Sequence, residues 1–183
     1  MKHLILVVTA ICLLQISLAQ KRYFTKTGTI SFNASTALED VNAINKSTTC
    51  IFDANTGQID LQLLIKGFEF KKALMQEHFN ENYLESSKYP KSTFKGKITN
   101  IDKVNFQKDG SYPVTVTGVL EIHGIKKEVT ANGQLQVSGE TVLSSAEFSV
   151  QLADFQIAIP SLVKDKISKT ATIKVNCNNT IFK

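Results

Sequence analysis

Beyond residue 19 the chain carries only two histidines, His78 and His123, and two cysteines, Cys50 and Cys177. Imidazoles and thiolates act as general bases, nucleophiles and metal ligands near neutral pH, so these four positions bound the chemistry on offer. They form no His-x-x-x-His or Cys-x-x-Cys pair, and no Gly-x-Ser-x-Gly elbow is present. His123 precedes Gly124 in "EIHGIKK", a tight turn at which its ring can hydrogen-bond the backbone, so a structural turn is expected there. His78 shares helical spacing with Leu74 and Met75 and reads as a packed or half-exposed helix residue. Glu39 and Asp40 are adjacent, and neighbours in a strand point to opposite faces, which makes a poor acid–base pair. No catalytic residue, metal site or cofactor is expected. Cys50 and Cys177 read as either one disulfide or two separate buried thiols. A bond would close a loop of roughly 127 residues, worth up to about 5 kcal/mol by chain entropy.

The elements that must carry these residues are mostly strands. In "GQIDLQLLIKGFEF", Ile59, Leu61, Leu63 and Ile65 share one face, while Gln58, Asp60 and Gln62 share the other. This period of two marks a half-buried strand, and Gly67 bends it before Phe68 and Phe70. The pattern recurs in "STFKGKITNID", "YPVTVTGVLEIHG", "EVTANGQLQV", "TVLSSAEFSVQL" and "KISKTATIKVNC", with shorter runs in "GTISFNA" and "TTCIFDA". The turn signals "NTGQ", "KDGSYP", "IHGIKK" and "SGET" separate them. About eight strands of this kind predict an all-β, eight-stranded antiparallel barrel; a two-sheet sandwich satisfies the same alternation. One segment, "KKALMQEHFNENYLESSKY", has helical spacing instead, and Tyr89-Pro90 is expected to end it and return the chain to the wall. Gly96, Gly118, Ala131, Ala146 and Ala171 fall on inward faces, where small side chains either leave room for a guest or relieve crowding in a filled core.

The start of the chain speaks to compartment. Lys2, the apolar run Leu4–Leu14 and "SLAQ" predict a cleaved signal peptide over residues 1–19, followed by one domain over 20–183 in the periplasm or outside the cell. The whole chain has 21 Lys and Arg against 16 Asp and Glu, a net charge of +5. The lysines are scattered in pairs such as Lys71-Lys72 and Lys126-Lys127, which argues against nucleic acid as a partner.

"HFNENYLESSKYPKSTFKGKI" and "VTGVLEIHGIKKEVTANGQL" resemble the two hallmark segments of the YceI-like family: a short helix leading through Tyr-Pro to a Phe-centred strand, and a Gly-Leu strand running into a His-Gly turn. "GFEFKKALMQEHF" and "FSVQLADFQIAIPSLVKDKISKTATIKVN" fall in the expected order. Two features depart from the family: Ile122 stands where a Thr usually precedes the turn, and an Asn-rich tail follows Cys177. The resemblance implies a lipocalin-like barrel that binds, sequesters or transports a long amphiphilic lipid, such as a polyisoprenoid, in its lumen. Transient membrane-surface contact is expected beside that ligand. The expected lumen residues are Ile59, Leu61, Leu63, Ile65, Phe68, Phe70, Phe94, Ile98, Val116, Leu120, Phe148, Val150 and Phe155, beneath a lid of Leu74, Met75 and Phe79. The competing readings are a filled-core barrel acting through its surface and an enzyme that modifies a lipid.

Overall fold

The computed structural model describes residues 21–182; the expected leader lies outside them. Strands β1 (Arg22–Asn33), β2 (Asn42–Asp53), β3 (Gln58–Leu64) and β4 (Phe68–Phe70) precede helix α1 (Ala73–His78). β5 (Lys91–Ile98), β6 (Gly110–Ile122), β7 (Ile125–Ser138), β8 (Thr141–Gln151) and β9 (Thr170–Ile181) follow. The sheet runs β1-β9-β8-β7-β6-β5-β3-β2, and β2 pairs back to β1, so the ring closes. All pairings are antiparallel. Along β2, Ala43 to Asn45 face β4 and Thr49 to Phe52 face β3, so β3 and β4 share one position in the wall. The result is a closed eight-position barrel, which excludes the sandwich.

Strand lengths differ from the sequence expectation where polar residues point inward. β1 and β2 are each twelve residues long rather than short runs. Register shifts around Gly28 break the alternation of β1, and the inward residues Asn45 and Thr48 break that of β2; both are fully buried. The Asn-rich tail after Cys177 is the end of β9, not an appendage, because Asn179 is buried and its Nδ2 donates to Val142 O, Cys177 O and Ser144 Oγ. Lys166 to Lys169, expected in that strand, belong to the loop before it. Glu39 and Asp40 also lie in a loop, not a strand.

The helical segment is shorter than its spacing suggested. α1 gives way to one π-helical turn over Phe79–Tyr83, and the chain reverses at Glu85, whose φ of 41° ends the helix before Tyr89-Pro90 is reached. This excursion lies at the barrel end formed by the last residues of β1 and the first of β2.

The inward side chains fall into two clusters along the barrel axis. At the far end Tyr23 stacks on Phe52 at 4.9 Å and on Phe106 at 5.6 Å, with Val104, Leu135, Val137 and Val142 packed around them. This end is plugged. At the excursion end the second cluster includes Leu63, Ile65, Phe68, Leu120, Val150 and Phe155.

Gly96 and Gly118 face each other across β5 and β6, and the Phe94 ring covers both. A Cβ at Gly118 would collide with Gly96 Cα and lie 2.8 Å from Phe94 Cζ. At these two positions, small residues make room for an aromatic ring rather than for a guest. Gly118→Val should therefore lower stability by about 1–3 kcal/mol through overpacking. A lower urea midpoint at unchanged m-value is the expected reading.

Candidate functional site

Period-two alternation sends one face of every strand into the barrel, so what the lumen holds depends on side-chain size. Above the plug those side chains do not meet. They leave a cavity of about 530 Å³, within the usual range for a small-molecule site, that opens at the excursion end. The thirteen residues expected in the lumen, Ile59, Leu61, Leu63, Ile65, Phe68, Phe70, Phe94, Ile98, Val116, Leu120, Phe148, Val150 and Phe155, all line it. Ile59 and Ile98 also belong to the cluster that plugs the far end and so form its floor. Ala131, Ala146 and Ala171 line the cavity as well, so here the small residues do leave space.

Leu74, Met75 and Phe79, expected as a lid, lie at the cavity edge but differ in burial. Met75 and Phe79 are half-buried, whereas Leu74 faces outward and is 61% exposed. Phe79 stacks on Phe32 at 5.4 Å and meets Phe68 and Phe70 at 5.5 and 5.0 Å, forming an aromatic wall near the mouth. Phe32, which the sequence reading leaves out of the lumen, lines the cavity too; its run "GTISFNA" is too short for alternation to mark it. Ile30, Ile173 and Val175 line the cavity as well.

Polarity is distributed unevenly. The charged side chains lining the cavity among the described residues are Glu39, Lys72 and Lys166, all in the loops and helix around the mouth, together with exposed His78. Lys72 Nζ meets Glu39 Oε1 at 2.7 Å and Lys71 Nζ meets Asp40 Oδ2 at 3.1 Å, tying α1 to the loop between β1 and β2. The Lys71 ammonium and the Ser35 hydroxyl hold the Asp40 carboxyl below its ordinary range. Tyr83, on the cavity wall, has its phenol pushed up by burial.

His123 lies outside the lumen, beside the mouth. His123 and Gly124 form the β6–β7 turn with φ of 52° and 73°, the paired positive angles of a two-residue hairpin. A Cβ at Gly124 would lie 2.6 Å from the Tyr89 ring, so the turn seats that ring directly. His123 Nδ1 donates to Phe155 O at 3.1 Å, and Nε2 lies 2.7 Å from Glu85 Oε2. A carbonyl oxygen can only accept, so Nδ1 carries the proton of that bond while Nε2 is occupied by the Glu85 carboxyl group, and neither nitrogen is free for a substrate. The ring pins the end of the helical excursion and the Leu152–Phe155 turn to one hairpin. Nothing in the sequence pattern pointed to Glu85.

Cys50 and Cys177 share the buried cluster of the plugged end, fully buried and without a disulfide between them. The neighbouring Cys177 thiol and burial push the Cys50 thiol well above its ordinary value. A thiol held this way is a poor nucleophile. Among the described residues no group of three His, Cys, Asp or Glu side chains is arranged to hold a metal.

A closed antiparallel barrel with a plugged floor, apolar walls and charges confined to one mouth defines a lipocalin-like binding barrel. The model of the YceI-like domain matches residues 15–178, and the chain belongs to that family. Among solved structures it is similar to a polyisoprenoid-binding domain from Saccharophagus degradans implicated in plant cell wall breakdown. That pair has a TM-score of 0.77 and 12% identity, with 89% of this chain and 99% of that one covered. It is also similar to BcnA of Burkholderia cenocepacia (TM-score 0.68, 16% identity, 81% and 94% covered) and to the YceI protein of Campylobacter jejuni (0.53, 17%, 75% and 81%). Identities this low establish a shared fold. Comparison with curated proteins found no match.

Removing the His123 ring leaves Phe155 O without its donor and breaks the tie to Glu85. His123→Ala should cost about 1–3 kcal/mol, and Glu85→Gln less. The check is thermal or urea unfolding; an unchanged midpoint for His123→Ala contradicts the pinning role.

Proposed function

We propose that this protein binds a long-chain amphiphilic lipid of the polyisoprenoid class, tail in the barrel and head group at the mouth. The observation that carries the reading is the cavity itself: mostly apolar along its depth, floored at one end, and charged only at its opening. Water gains little in such a space, whereas a hydrocarbon chain released from water gains roughly 0.8 kcal/mol per methylene. A tail of about 20 carbons thus contributes on the order of 16 kcal/mol. Loss of translational freedom and imperfect fit offset about 4–15 kcal/mol of it. Useful affinity then follows from chain length, with tolerance for different tails.

The polyisoprenoid-binding neighbour from Saccharophagus degradans supports the ligand class. The expected leader supports a place outside the cytoplasm, in the periplasm or secreted. Binding without turnover fits the engaged nitrogens of His123 and the buried thiols, which favours carriage or sequestration over modification.

Organic extracts of the purified protein, examined by mass spectrometry, should yield a polyisoprenoid or similar lipid at close to one per chain. Ala131→Phe, which puts a ring into the cavity, should lose that lipid while keeping its fold. Repeatedly empty extracts from the unaltered protein, or equal yield from the filled variant, would contradict the reading.

A further inference from the structure

The three most exposed large apolar side chains among the described residues are Leu162 at 91%, Leu38 at 70% and Leu74 at 61%. They come from three separate segments: the short turn Ser161–Val163 before β9, the loop between β1 and β2, and α1. All three segments meet at the mouth. Glu39, next to Leu38, pairs with Lys72 at the foot of α1. Thr36 Oγ1 donates to Asp165 O at 3.0 Å, and Ser168 N donates to Ala34 O at 2.8 Å, joining the first loop to the segment that bears Leu162. Their neighbours Glu39, Lys72, Met75, Val163 and Lys166 line the cavity. The leucines therefore crown the opening of an apolar tunnel instead of being scattered over the wall.

Single exposed apolar residues are ordinary; three on one rim mark a surface that something covers. The charges around them indicate what. Lys71 and Lys72 are neutralised by Asp40 and Glu39. Lys164 and Lys166 both follow Leu162 within four residues, with Asp165 between the two lysines, and neither lysine has an ion-pair partner among the described residues. An apolar tip bordered by unpaired lysines matches the boundary of a bilayer, where acyl chains lie beneath anionic headgroups.

We propose that this rim docks on a lipid bilayer carrying anionic headgroups, Leu38, Leu74 and Leu162 entering the acyl boundary and Lys164 and Lys166 meeting the headgroups. The barrel mouth then faces the membrane, and a tail can pass between bilayer and cavity without crossing water. That consequence rests on the lipid-binding reading above; the docking itself rests on the rim.

The chain has no tryptophan, so one introduced residue reports its own surroundings. Leu162→Trp labels the rim, and Phe182→Trp labels an exposed site at the plugged end, where Phe182 is 57% exposed. With vesicles of equimolar phosphatidylcholine and phosphatidylglycerol, Leu162→Trp fluorescence should shift to the blue and Phe182→Trp fluorescence should not. Co-sedimentation of the otherwise unaltered protein with the same vesicles should fall about tenfold on replacing all three leucines by serine. Lys164→Ser with Lys166→Ser should weaken binding to these vesicles and leave binding to pure phosphatidylcholine unchanged. Three results would overturn the docking: no vesicle binding by the unaltered protein, equal shifts at both tryptophans, or a dimer in sedimentation velocity that the triple serine variant dissolves. Lipid occupancy by mass spectrometry is read separately, so an occupied cavity with a silent rim tells the two ideas apart.

Discussion

Closure of the sheet by pairing β1 with β2 is the constraint from which the rest of the molecule follows. Once β1 is bonded on both sides, the ring of long strands has no open seam, the short β4 alone keeping a free side among the described residues, and each inward side chain can go only into the lumen. Eight wall positions enclose a space that side chains can either fill or leave hollow. This chain does both at different heights. Tyr23, Phe52 and Phe106 stack across one end, drawing Val104, Leu135, Val137 and Val142 into a dry plug. At the other end alanines alternate with branched residues, and the aromatic side chains pack against one another along the wall instead of across the centre.

That division makes the barrel directional. A plugged floor sets how deep a guest can go, and a mouth built from loops and a short helix determines what stays outside. The pinning of Glu85 and Phe155 by His123 matters for this reason: two of the segments that shape the opening are not strands and need side-chain ties to keep their places. The ion pairs Lys71–Asp40 and Lys72–Glu39 do similar work at the foot of α1, though as exposed pairs they contribute little each.

Much of this was legible from alternation alone. β3, β5, β6, β7 and β8 keep a clean period of two, so their inward residues, from Leu61 to Val150, could be named directly. Legibility failed where polar groups serve the interior. Asn45 and Asn179 are buried with their amides donating to backbone carbonyls, Thr48 is buried beside Gly28, and each hid part of a strand whose neighbours were otherwise regular. Helical spacing between Leu74 and Leu84 likewise concealed a change to a π turn and the reversal at Glu85, a backbone choice that tertiary contact with His123 and Tyr89 supports and local propensity does not announce. Family resemblance supplied what spacing could not, namely that the inward faces surround a hollow.

Lipid binding of this kind requires a hydrocarbon chain to occupy that hollow. Isotope-filtered nuclear Overhauser spectroscopy, with labelled protein methyl groups and an unlabelled long-chain prenyl alcohol, observes this directly. The methyls of Leu63, Leu120 and Val150 should show contacts to the chain, and those of the outward-facing Leu143 and Val119 should show none. Contacts confined to the outer residues, or none at saturating alcohol, would contradict it.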